Sequence, residues 1–126
     1  MTLVFDAGAL LALEKNDKVI WRRLKSARLA GSPPVTHGGV VGQVWRGGGP
    51  RQARLATALD GIEVYPLDDE LGRRSGALLK RTGSSDVVDA ALVLLAEDGD
   101  EIVTSDPADL TVLTGHADLD VELYTV

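Results

Sequence analysis

Two hydrophobic periods alternate along this chain: short apolar or alternating runs that suit strands, and longer stretches with apolar residues at helical spacing. The run over 2–5, with Leu3-Val4-Phe5, predicts a first strand, and Asp6-Ala7-Gly8 turns into a helical segment over 9–14. Asn16-Asp17 precede a stretch in which Val19, Ile20, Trp21, Leu24 and Ala27 share one face, predicting a capped helix over 18–29. Gly31-Ser32-Pro33-Pro34 ends it, and Val35-Thr36 reads as a short strand. The segment 40–46 is assigned to a helix opening at His37-Gly38-Gly39, against the strand preference of its β-branched residues and Gly42. Pro50, after three glycines, suits the first turn of a helix over 51–60.

Gly61 and Pro66 bound the alternating strand Ile62-Glu63-Val64-Tyr65. Asp68 can cap a helix reaching Arg81, with Leu71, Ser75, Leu78 and Leu79 inward, and Thr82-Gly83-Ser84-Ser85 interrupts the chain. The stretch from Asp86 to Glu97 is apolar nearly all round and predicts a central, largely buried helix. A strand over 101–104, a short helix from about Pro107 to Leu113 and a last strand over 121–124 complete the pattern. Strands alternating with helices in this way predict a single three-layer α/β/α domain over residues 1–126, around a mainly parallel sheet.

Composition supports that picture. A chain of 126 residues, 44% apolar, can bury one full core but not two. With only 4% aromatics, that core must be built from Ala, Val and Leu. The absence of cysteine excludes disulfides, thiolate zinc sites and cysteine nucleophiles, and is compatible with a reducing cytosol. The chain starts directly on a strand-like run with no basic leader. It has no apolar stretch of the roughly 18 residues a membrane span needs, so a cytoplasmic location away from membranes is expected.

Charge is distributed unevenly. The net charge is −6, which argues against a passive nucleic-acid binder, yet most basic residues lie between positions 22 and 81 and none follows Arg81. A basic half beside an acidic half suits a metalloenzyme acting on a phosphodiester, although solvated helix faces give the same asymmetry.

The candidate chemistry lies in the aspartates. Asp6 follows the first strand, Asp86 and Asp89 head the apolar helix, and Asp106 follows the strand over 101–104. Residues just past strand ends gather at the carboxyl edge of a parallel sheet, where ligands bind. Carboxylates collected there repel one another unless a cation joins them, and Mg²⁺ or Mn²⁺ is the hard partner that oxygen ligands favour. Asp89 interrupts the run Val87-Val88-Asp89-Ala90-Ala91, where a bare carboxylate is costly to dehydrate. Asp86 reads equally as a first-turn cap, Asp6 as an Asx-turn residue, and Asp106 and Asp109 as caps of the next helix. Thr104 and Ser105 offer hydroxyls that can orient a carboxylate or a water.

Other chemistries fit less well. Neither His37 nor His116 lies in a serine-nucleophile setting, and His37 reads as a loop or supporting residue. The glycines at 47–49 lack the Lys-Ser/Thr of a P-loop. Gly8 occupies the position where a haloacid-dehalogenase-like site would carry its second aspartate, and no lysine follows Lys80 to complete a receiver-domain site.

The ordered set Phe5-Asp6-Ala7-Gly8-Ala9-Leu10-Leu11-Ala12-Leu13, then Asp86-Val87-Val88-Asp89-Ala90-Ala91, then Val103-Thr104-Ser105-Asp106-Pro107-Ala108-Asp109-Leu110 resembles the PIN-domain family. Within that family it is most similar to VapC-type toxins of toxin–antitoxin pairs. The resemblance covers essentially the whole chain. It implies an α/β/α fold, Mg²⁺ or Mn²⁺ held by acidic residues, endonucleolytic RNA cleavage, a homodimer, and neutralisation by a small antitoxin protein. It assigns Asp6, Asp89 and Asp106 as principal metal ligands, with Asp86 and Asp109 as additional acidic positions. The family's usual glutamate falls at Gln43, within Gly42-Gln43-Val44-Trp45-Arg46, and an amide adds no negative charge and cannot act as a base. Arg46, Arg51 and Arg54 are the expected phosphate contacts, and exposed apolar positions on the helices over 9–14 and 18–29 the expected antitoxin groove. The competing expectations are a catalytically impaired protein-interaction module of the same fold and a metal-dependent phosphatase.

Overall fold

Three consecutive apolar residues, Leu3–Phe5, form β1, a strand buried on both faces as a central position in a parallel sheet requires. The computed structural model describes residues 1–126. Beside β1 lie β2 (Val35–His37) on one side and β4 (Glu101–Thr104) on the other. The strands β3 (Glu63–Tyr65) and β5 (Glu122–Thr125) form the edges. The order is β3-β2-β1-β4-β5 and every pairing is parallel, with Val4 opposite both Val35 and Ile102. The chain winds outward from β1 to β3, then returns to the other side of β1 and winds outward again. That reversal puts the topological switch point between β1 and β4, where open α/β sheets form their ligand crevice.

One helical layer comprises α1 (Ala7–Glu14), α2 (Lys18–Leu29), α3 (Gly38–Val44) and α4 (Ala53–Leu59), with α1 packed against the other three. The other comprises α5 (Asp69–Thr82), α6 (Val87–Leu95) and α7 (Pro107–His116), which pack on one another. The result is a three-layer α/β/α domain.

Local chemistry sets most boundaries. The Asp17 carboxylate accepts from the N–H groups of Val19 and Ile20 and starts α2, and Asp68 accepts from Leu71 N–H and starts α5. Gly83, at φ +72°, gives α5 the left-handed terminus that glycine adopts without strain. The inward residues of α5 are Leu71, Ser75, Leu78 and Leu79, as its periodicity predicts.

Four details depart from the sequence reading. Val19 of α2 is 46% exposed, and only Ile20 and Leu24 of its apolar face are fully buried. Pro50 opens a separate 3-10 turn, Pro50–Gln52, so α4 begins only at Ala53. The helix α6 stops at Leu95, before Glu97, whereas α7 runs on past Leu113 to His116. The helical assignment of 40–46 holds as far as Val44, because Val40 and Val44, one turn apart, both reach the core and burial outweighs strand propensity, but Trp45 is extended and Arg46 lies past the end of α3. No helix is long and apolar enough to cross a membrane.

Candidate functional site

The end of β1 delivers Asp6 to the switch point. Its N–H continues the ladder to Val103 of β4 at 3.1 Å, and its side chain, 8% exposed, caps α1 by accepting from Ala9 N–H at 3.0 Å. The Thr104 hydroxyl and the N–H groups of Gly8 and Ser105 also favour the ionised form, yet burial outweighs them and raises the Asp6 pKa above the ordinary carboxylate value. A Cβ on Gly8 would fall 2.7 Å from the backbone nitrogen of Ser105. Only glycine therefore lets the first turn of α1 rest against Ser105 at the end of β4, whose N–H also reaches Asp6.

A helix that precedes its strand in a parallel sheet begins at the strands' carboxyl edge, so α6 brings its N-terminus to the same crevice. Asp86 caps it, with Oδ1 accepting from Asp89 N–H at 3.0 Å. The capping reading of Asp86 is thus realised by an exposed side chain that also hydrogen-bonds the Asp89 carboxyl. Asp89, half-buried in the first turn, has its pKa raised to about 6, first by loss of solvent, then by Asp86, and then by the fields of Asp6 and Asp106. The fields of acids from the other two chain segments therefore reach Asp89. Thr104 joins two of them, since its hydroxyl also accepts from Asp106 N–H at 2.8 Å. Asp106 is exposed and makes no side-chain cap on α7. A hydrogen bond with Asp106 raises the pKa of the neighbouring, fully exposed Asp109.

The donors fit a hard divalent cation in chemistry: oxygen ligands, mutual repulsion, and no lysine or arginine after Arg81 to offset it. Their arrangement is looser than a finished centre, because no three acidic or histidine side chains stand together in a geometry that could hold an ion.

Gln43 lies elsewhere. It is exposed on α3 and lines a cavity of about 520 Å³ with Glu14, Arg46, Arg51 and Gln52, which none of the four aspartates lines. Arg46 is folded back onto the end of α3, its guanidinium donating to the carbonyls of Gly42, Gln43 and Trp45. It acts first as a helix terminator rather than a free phosphate contact. Arg51 faces the cavity with Gln43, whereas Arg54 lines a different one.

Two residues that position these elements carry little signal in the sequence. Gln52 is buried and uses every hydrogen-bonding valence of its amide: Nε2 donates to Glu14 and to the Val44 carbonyl, and Oε1 accepts from the N–H groups of Arg46 and Gly48. It thereby pins the glycine-rich loop after α3. His37 is fully buried, with Nδ1 accepting from Gly39 N–H at 3.0 Å, which caps α3, and Nε2 lying 2.9 Å from the Val88 carbonyl in the first turn of α6. Both contacts are satisfied by the neutral ring with its proton on Nε2, and burial lowers the His37 pKa accordingly. His37, which the sequence places as a loop or supporting residue before Gly-Gly, is instead the last residue of β2 and supports both helices. Gln52 had no sequence clue, because its partners lie up to 38 residues away.

No known family model matches this chain. No curated protein matches it either.

Proposed function

We propose that the protein is a divalent-metal-dependent endoribonuclease whose site is the acidic crevice between β1 and β4. The observation that carries this reading is the setting of Asp89. Burial first, then Asp86, and last the fields of Asp6 and Asp106 raise its pKa to about 6, and a cation is the simplest partner to relieve both the lost solvation and the repulsion. The PIN-like order of Asp6, Asp86, Asp89 and Asp106 adds RNA as the substrate class.

Asp6, Asp89 and Asp106, with Asp86 beside them, are the residues that would hold Mg²⁺ or Mn²⁺. Such an ion, when bound, supplies positive charge and Lewis acidity for opening a phosphodiester. The chain's own residues do the positioning. Thr104 and the N–H groups around Asp6 fix that carboxylate. Asp86 holds the first turn of α6 and thus aims Asp89, which is a carboxylate only above about pH 6. Arg51 is set to receive a backbone phosphate beside Gln43. A homodimer, a small antitoxin and a cytoplasmic location belong to this reading through the family resemblance.

The side-chain arrangement itself sits closer to a second reading, a catalytically impaired module of the same fold that acts by binding a protein. No three acids are gathered for an ion, and Gln43 brings no carboxylate to the crevice. Incubation of structured and unstructured RNAs with Mn²⁺, Mg²⁺ or EDTA separates the two. Cleavage that needs metal and disappears in Asp89→Asn supports the nuclease, and a higher rate in Gln43→Glu identifies the missing carboxylate as limiting. Intact RNA under every metal condition supports the silent module. Turnover of a phosphomonoester without RNA cleavage supports a phosphatase.

A further inference from the structure

Between α2 and α4 lies a cavity of about 510 Å³ whose charge is opposite to that of the whole chain. Lys18, Arg22 and Lys25 line it from α2 and Arg54 from α4, and no acid joins them. The α2 cations recur at i, i+4 and i+7, a spacing that stacks them on one helix face, where like charges destabilise the helix unless an anion lies between them. None of the four is in an ion pair, since the two ion pairs of the molecule are Arg23–Glu101 and Arg73–Asp69. The nearest carboxylates along the chain are committed elsewhere, Asp17 to the start of α2 and Glu14 to Gln52.

Trp21 stands among these cations. Its indole N–H donates to the Leu13 carbonyl at 3.0 Å, which holds the ring in place, partly packed against the core and partly lining the cavity. Cations with a fixed aromatic ring, flanked by the neutral hydrogen-bonding groups of Asn16 and Thr57, match the requirements of a single-stranded nucleic acid: phosphate neutralisation and a stacking platform. A helical peptide would need apolar anchor pockets, and Trp21 is the one apolar residue lining this groove. Arg51, on the turn before Arg54, extends the positive charge toward the Gln43 cavity.

We propose that the groove between α2 and α4 is a binding surface for single-stranded RNA, separate from the acidic crevice, with Lys18, Arg22, Lys25 and Arg54 on phosphates and Trp21 stacking on a base. This rests on the nuclease reading only for the choice of RNA as polymer.

The test measures binding of a fluorescein-labelled 12-nucleotide single-stranded RNA in EDTA between 50 and 200 mM KCl. For single strands the slope of log affinity against log salt changes by about 0.7 per phosphate contact. The Lys18→Gln/Arg22→Gln/Lys25→Gln variant should therefore have a slope shallower by about 2, and Trp21→Phe should bind more tightly than Trp21→Ala. Lys18, Arg22 and Lys25 are exposed whereas Trp21 packs partly on the core, so each variant's fold is checked by thermal melting. An unchanged slope in the folded triple variant overturns the proposal, as does equal competition by a 12-residue oligoglutamate. Hydrolysis of bis(p-nitrophenyl) phosphate with Mn²⁺ by wild type and Asp89→Asn judges the crevice separately. Lack of turnover there, with RNA binding lost in the triple variant, leaves the groove standing and removes the nuclease.

Discussion

Asp89 shows how a single carboxylate is destabilised by its setting. Its folded-state pKa is raised to about 6 from 3.8, so the folded protein binds the proton more tightly than the unfolded chain does. Linkage then requires stability to fall as pH rises from about 4 to 6 and to remain lower above 6. Asp89→Asn should accordingly stabilise the metal-free protein at pH 7.5 by roughly 1 kcal/mol, a figure discounted for the half-exposed side chain, and by little at pH 4. Urea melts at the two pH values check this, and a variant less stable than wild type at pH 7.5 contradicts it. His37 has the opposite sign. Its pKa is lowered by burial, so the unfolded chain binds the proton more tightly and the fold loses stability as pH falls below 6.5.

Its two contacts are separable by substitution. His37→Asn keeps an acceptor for Gly39 N–H, and His37→Gln keeps a donor for the Val88 carbonyl. If the Val88 contact sets the first turn of α6, the Asp89 pKa measured by NMR should stay near 6 in the Gln variant and move in the Asn variant. Equal pKa values in the two would assign His37 to capping alone.

At the scale of elements, the crevice depends on how closely α1 approaches the end of β4. Gly8→Ala ordinarily favours a helix, but here the added methyl would meet backbone and side chain of Ser105. The expected result is a loss of about 1–3 kcal/mol in urea unfolding, as for other overpacked sites. A neutral or stabilising outcome means the β4–α7 junction yields easily. The elements themselves were legible where periodicity and capping agreed, as in α5, whose four inward residues and Asp68 cap both follow from the pattern. They were less legible where a helix end is set by contacts from afar. The stop of α6 at Leu95 is one case, since the Asp100 carboxylate holds both Glu97 N–H and Thr2 N–H and so ties that loop to the start of β1.

For the whole molecule, the question is whether a cation completes the crevice. Any ligand that binds the folded state alone stabilises it by mass action, by about 2.7 kcal/mol at a hundredfold excess over Kd. Thermal melting at pH 7.5 should therefore shift upward with Mn²⁺ in wild type and not in Asp89→Asn. An equal shift in both, or none in either, removes Asp89 from metal binding.

The division of information follows from the range of the interactions. By itself the amino-acid order determined the alternation of strands and helices, the three-layer class and the aspartates to watch. Periodicity, caps and turns act over a few residues and are written locally. Packing in three dimensions put Gln43 in a cavity that the aspartates do not line, folded Arg46 back onto the end of α3, and set Lys18, Arg22 and Lys25 in one groove with Arg54. Each of those facts depends on side chains from distant segments meeting in space. Such meetings are set by how helices pack on a sheet, which no short stretch of residues specifies.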